Sequence, residues 1–178
     1  MKILLTGANG FVGSHLAHVL VEEGAEVYAV VRPGADLSRI AEMKSSVHLL
    51  QADLLDKDSV ASMLLGMEFD CCVHTAWYAE PGKYLHSDRN VDWVGASVHL
   101  AWMLAKSGCK RMVGLGTFFE YDLMQGILSE TSSLKPASLY AASKLAAGRG
   151  IESMANALDM SFAWARLFYL YGPGEDPR

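Results

Sequence analysis

The chain has 178 residues, 51% hydrophobic and 20% charged, which suits one domain with a substantial core and excludes a disordered chain. Fifteen basic and 20 acidic side chains leave a net charge of -5, and no Lys/Arg cluster supplies the basic face that nonspecific nucleic-acid binding requires. No apolar run approaches the roughly 18 residues of a membrane span, Ile3–Leu5 is too short for a secretory signal, and the sparse cysteines Cys71, Cys72 and Cys109 fit a reducing compartment; a cytoplasmic protein with no membrane partner is expected.

In chain order, Lys2–Thr6 reads as a buried strand. Val12, Leu16, Val19 and Leu20 fall on one stripe, predicting a helix over 11–23 that Gly24 closes. Strand Glu26–Val31 follows, then a short helix over 35–43, strand Val47–Gln51 and a helix over 56–65 with Asp56 as its N-cap. A fourth strand is expected at 69–74, a long helix at 88–106, a fifth strand at 111–115, a second long helix at 138–158 and a sixth strand at 161–168. Segments 78–87 and 118–137 show no periodicity. Apolar strands without alternation, joined by helical crossovers, predict one α/β domain over 1–178. Its sheet is doubly wound and parallel, of Rossmann type, with about six strands in the order 3-2-1-4-5-6.

Between the first strand and the first helix lies Thr6-Gly7-Ala8-Asn9-Gly10-Phe11-Val12-Gly13. Gly7 permits a tight turn, Gly10 lets backbone approach a pyrophosphate, and Gly13 permits close helix–strand packing. The helix N-terminus then offers unpaired N–H groups to phosphate oxygens. No acid ends the second strand; Arg32 stands there, either to pair with a 2′-phosphate or as a solvated surface arginine. That favours NADP, with NAD as the alternative. Asp53 after the third strand is within reach of an adenine edge, or is a turn carboxylate.

Tyr140 and Lys144 lie four apart on a helix and so share a face. A nearby ammonium favours a tyrosinate, bringing the phenol's proton exchange nearer neutral pH. Thr117, at the end of the fifth strand, can hold a substrate oxygen.

The glycine loop, Thr117, Tyr140-x-x-x-Lys144 and Arg166-Leu-Phe-Tyr-Leu-Tyr-Gly-Pro-Gly174 occur in the order that marks the extended short-chain dehydrogenase/reductase family. The chain resembles, over essentially its whole length, that family's NAD(P)-dependent epimerase/dehydratase group acting on nucleotide sugars. The resemblance implies a nucleotide-sugar substrate, with Tyr140 moving a proton at the sugar, Lys144 on the nicotinamide ribose and lowering the tyrosine's pKa, and Thr117 on the reacting oxygen. It implies that Asp53 and Leu54 hold the adenine and that His74, Thr75 and Ala76 lie along the cofactor. Asn90 would support the active site, and Leu167 and Phe168 would pack near the nicotinamide. A homodimer through the two long helices is implied as well, with Ala141, Ala142, Ala146 and Ala147 allowing close approach. Gly148 and Gly150 in the second of these helices either permit close contact or weaken it.

Tyr169 stands where many sugar-nucleotide epimerases carry an asparagine. The Asp-Glu pair that dehydratases carry after the threonine is absent, which ranks reductase or 4-epimerase first. Competing readings are a non-catalytic NADP-binding regulator and an inactive fragment, because the family's substrate part follows the sixth strand; dinucleotide binding with weak turnover is expected of these residues alone. Glu120 and Tyr121 follow Thr117 and either touch substrate or, as the favoured reading, are loop structure; Cys71 and Cys72 read as core, Trp93 and Trp102 as packing or a subunit contact. No metal spacing is seen among the histidines.

Overall fold

The computed structural model describes residues 1–175. Six parallel strands form one sheet: β1 (Lys2–Thr6), β2 (Glu26–Val31), β3 (Val47–Gln51), β4 (Cys71–His74), β5 (Arg111–Thr117) and β6 (Ser161–Leu167). Their order is β3-β2-β1-β4-β5-β6, as expected of a doubly wound fold. Helices α1 (Phe11–Glu22), α2 (Lys57–Leu64), α3 (Arg89–Lys106) and α4 (Leu139–Ala157) cover its two faces. None of the described helices is long and apolar enough to cross a membrane.

Successive residues of a strand point to opposite faces. Leu4 therefore enters one core with Leu100, Leu104, Met112 and Ile151, while Leu5 enters the other with Ala17, Val27, Ala29 and Met43. Each fully buried aliphatic side chain contributes about 1.5–3 kcal/mol. The order reverses at β1, which pairs with β2 on one side and β4 on the other. A crevice opens there at the carboxyl ends of the strands, where Thr6 lies across from Val30 and His74.

Local signals hold at most helix ends. Gly24 adopts φ 76° and its N–H bonds the Val21 carbonyl, while the Ala25 N–H bonds Leu20, a Schellman closure of α1. Asp56 caps α2 by accepting the Asp58 N–H at 2.9 Å, and Ser138 caps α4 by accepting the Ala141 N–H at 3.1 Å. Gly150 faces Val98 of α3, so it does permit a close helix contact.

Three expectations change. The helix expected over 35–43 shrinks to a 3₁₀ segment, Ser38–Met43, broken at Ile40. Asp36 is the reason: its carboxylate takes the Ser38 N–H and hydroxyl, each at 2.9 Å, a local turn that competes with helix. The face that α1 buries is Gly13, Ser14 and Ala17 rather than the larger stripe, and Val19 is 52% exposed. Small residues there let the helix N-terminus sit close against β1. On α4, Ala141 and Ala147 are buried within the chain, leaving Ala142 and Ala146 of the four alanines exposed.

Candidate active site

The crevice is a cleft of about 1090 Å³ running across the carboxyl ends of all six strands. Gly7, Asn9, Gly10, Phe11, Val12 and Gly13 line its centre. Gly7 has φ 68°, and a Cβ there would sit 2.6 Å from Thr75 Oγ1 and 2.8 Å from the Ala76 nitrogen, so the β1 turn must be glycine twice over. The Gly10 N–H closes the turn onto the Gly7 carbonyl at 2.9 Å, and Asn9 Nδ2 ties the loop to the Asp36 carbonyl at 3.0 Å. A Cβ on Gly13 would land on the Gly7 carbonyl. The backbone cradle and the α1 N-terminus thus fit a dinucleotide pyrophosphate.

Toward β2 and β3, Arg32, Asp53 and Leu54 also line the cleft. Arg32 is exposed, and its guanidinium has no ion pair or hydrogen bond among the described residues. Asp53 serves the turn, with Oδ1 accepting the Leu55 N–H at 3.0 Å, yet it borders the cleft as well.

Toward β5 and β6 the cleft is bordered by Thr75, Ala76, Trp77, Thr117, Tyr140, Lys144, Leu167 and Phe168. Lys144 is buried; its Nζ donates to the Leu115 carbonyl at 2.9 Å and lies 4.1 Å from the Trp77 ring centroid and 5.9 Å from that of Tyr140. Burial pushes its pKa down to about 7, with the Glu120 charge pulling it back up. Burial likewise pushes the Tyr140 phenol up to about 12; Tyr84 and Glu120 add to the rise and a hydrogen bond from Thr117 opposes it. The expected depression of Tyr140 by Lys144 is therefore absent here: desolvation dominates, and the ammonium is engaged by Leu115 and Trp77.

His74 and Asn90 are buried and lie behind the cleft wall rather than on it. Asn90 Nδ2 donates to the Tyr84 and Ser87 carbonyls at 2.6 and 2.8 Å, and Oδ1 accepts from Trp77 Nε1 at 2.9 Å. It latches the segment after β4 to α3, and so holds Trp77 under Lys144 and Tyr84 edge-on to Tyr140, ring centroids 4.8 Å apart.

His74 bridges Thr6 Oγ1 at 2.8 Å and Ser97 Oγ at 2.9 Å, tying β1 to α3 beneath the glycine loop. Burial, and then the Lys144 charge, depress its pKa to about 3. The unfolded chain, near 6.5, binds the proton more readily, so this contribution to stability is complete above about 6.5 and is lost as pH falls toward 3; it amounts to roughly 4–5 kcal/mol at most. Denaturant unfolding at about pH 7 and about pH 4 is expected to show a larger loss for the native chain than for His74→Gln; equal losses would exclude His74 as the acid-sensitive group.

A sequence model described as the NAD dependent epimerase/dehydratase family matches residues 3–178. The chain belongs to the NAD-dependent epimerase/dehydratase family. Among relatives of this epimerase/dehydratase chain, a UDP-glucose 4-epimerase of Streptomyces lividans is 30% identical over 82% of this chain and 45% of that protein. A dTDP-6-deoxy-L-talose 4-dehydrogenase (NAD(+)) of Aggregatibacter actinomycetemcomitans is 23% identical over 97% of this chain and 62% of that protein. The crystal structure of a Thermus thermophilus UDP-glucose 4-epimerase complexed with NAD superposes with TM-score 0.85 at 24% identity, covering 100% of this chain and 58% of that one. The chain thus spans about half the length of the relatives it matches.

Sequence reasoning does not reach Trp77 and Tyr84, and favours loop structure for Glu120. In this family member Glu120 is wholly buried and bonded to Thr117, Trp164 and Arg166. A signal existed in Gly114, Gly116 and Gly148, which no turn requires: a Cβ at any of them would collide with the Trp164 indole, so the three glycines form the slot that this ring fills.

Proposed function

We propose that the cleft binds a nicotinamide dinucleotide and serves hydride transfer at a carbon of a nucleotide-activated sugar, with Tyr140 handling the proton. The observation that carries the reading is the meeting of Thr117, Tyr140 and Lys144 in the same cleft as the glycine cradle. When bound, the nicotinamide supplies or accepts the hydride. Tyr140 is held as a phenol at neutral pH and gives its proton to a sugar keto oxygen; Thr117 holds that oxygen, and the donors of Lys144 left over from Leu115 serve the ribose. Glu120 is already bonded to three neighbours, so among the described residues no free carboxylate stands beside Thr117 to add to Tyr140, which ranks reductase or 4-epimerase above dehydratase. Incubation of dinucleotide-loaded protein with a panel of nucleotide sugars, read by nicotinamide absorbance and product analysis, tests this; oxidation state and sugars all unchanged across the panel would contradict it.

NADP is proposed over NAD. Arg32 at the β2 end, exposed to the cleft where an acid would serve ribose hydroxyls, supports the choice. One charge-assisted phosphate contact contributes roughly 1.5–3 kcal/mol, or ten- to hundredfold in affinity. Calorimetry is expected to show that margin for NADP and its loss in Arg32→Ala; equal native affinities would refute the preference.

A homodimer through α3 and α4 is proposed in turn. Ala142 and Ala146 are open on α4, and Val91 and Trp102 on α3 are 58% and 43% exposed, leaving an apolar face. Light scattering at tens of micromolar is expected to give twice the chain mass; a monomer counts against it.

A further inference from the structure

We propose that Glu120 is a positioning residue of the active site, its buried carboxylate bridging Thr117, Trp164 and Arg166 on the side of the cleft where Lys144 stands and serving as the counter-charge to that lysine. The inference rests on the functional reading above, in which Thr117, Tyr140 and Lys144 form the reactive set.

Glu120 lies just past β5, in the 3₁₀ turn Phe118–Glu120, with no exposed surface. Oε1 accepts the Thr117 N–H at 2.9 Å and Trp164 Nε1 at 3.0 Å, and Oε2 accepts Arg166 Nε at 2.7 Å. The reciprocal bond from the Phe119 N–H to Thr117 Oγ1, 3.3 Å, completes a capping box that fixes where the threonine hydroxyl stands. A capping box alone does not need this setting. A buried ion pair stabilises a fold weakly, and apolar residues of similar volume would join β5 to β6 as well. What the carboxylate adds is its charge, among two cations.

The groups around Lys144 narrow the assignment. Tyr140 faces it from α4 and Trp77 from the segment after β4. His74 on β4 feels its charge but is held neutral, and Trp164 on β6 links the two sites, its ring centroid 5.9 Å from Lys144 Nζ and its Nε1 donating to Glu120 Oε1 at 3.0 Å. The Leu115 carbonyl is uncharged. Among the described residues, Glu120 is the group whose charge favours the Lys144 ammonium against the cost of burial, and the same charge raises Tyr140. Arg166 is Glu120's other cation; it also reaches the Tyr121 hydroxyl at 3.4 Å and lies over the Tyr121 ring. Glu120 is therefore paired with Arg166 and joined to the surroundings of Lys144 through Trp164, and removing either sign of charge is expected to move Lys144 in a stated direction.

The test labels lysine Cε with carbon-13, assigns the Lys144 resonance with Lys144→Met, and follows its titration in the chain without substrate or dinucleotide. Glu120→Gln keeps the shape and removes the charge, so the Lys144 midpoint is expected to fall. Arg166→Gln leaves the carboxylate without its other cation, so the midpoint is expected to rise. Opposite displacements are not what a loosened structure gives. A midpoint that stays put, or moves the same way in both variants, overturns the proposal. Should Glu120→Gln not fold, the direction in Arg166→Gln decides alone. Because nothing in this titration depends on turnover, its failure is distinct from failure of the proposed reaction.

Discussion

Tyr140→Phe is expected to lower turnover by about 10²-fold or more while dinucleotide binding survives. The substitution removes one oxygen and keeps the ring, whose packing against Tyr84 holds it in the cleft. The phenol holds its proton at neutral pH and meets Thr117, so in the proposed reaction its loss would remove the donor and not merely a contact. Lys144→Met removes the bond to Leu115 and the charge over Trp77, and so is expected to weaken both turnover and dinucleotide affinity. Kinetics on an active preparation, paired with calorimetry, separate the two; a Tyr140→Phe enzyme with near-native turnover would remove the phenol from the mechanism.

Gly13→Ala is expected to abolish tight dinucleotide binding, a fall of about 10²-fold or more, which corresponds to roughly 3 kcal/mol. The added methyl meets backbone rather than a movable side chain: the Gly7 carbonyl, with Ala8 Cα 3.0 Å away. Relief requires α1 to move off β1, which carries the helix N-terminal N–H groups away from the phosphates. Overpacking of this kind also costs about 1–3 kcal/mol of stability. Gly95→Ala is the control, since a methyl there meets nothing within 4 Å and sits inside α3. It is expected to bind normally and to gain about 0.5–1 kcal/mol. Calorimetry and thermal unfolding of the two variants check both statements; normal binding by Gly13→Ala would show that the cradle is not what holds the ligand.

What the sequence displayed were features set by neighbours in the chain. The strands, the glycine loop and the Tyr140–Lys144 pair are local patterns, and the strand order follows from the way right-handed crossovers wind around β1. The misreadings also have local causes. Asp36 diverts the chain into a turn where periodicity suggested helix, and α1 hides small residues where the pattern pointed to large ones. The Glu120–Trp164–Arg166 cluster was not legible, because its members come from β6 and from the turn after β5 and meet only across the sheet. Its trace was indirect, in glycines at 114, 116 and 148 that make room for Trp164. Asn90 and His74 were visible as residues but not as to which way they would face; both turn out to brace the cleft from behind.

Titration of the chain with NADPH and NADH, followed by the fluorescence of the reduced nicotinamide, tests most directly whether this cleft is a dinucleotide site. Saturable binding of one dinucleotide per chain is predicted, tighter for NADPH and lost in Gly13→Ala. Failure of both dinucleotides to saturate the native chain would contradict it.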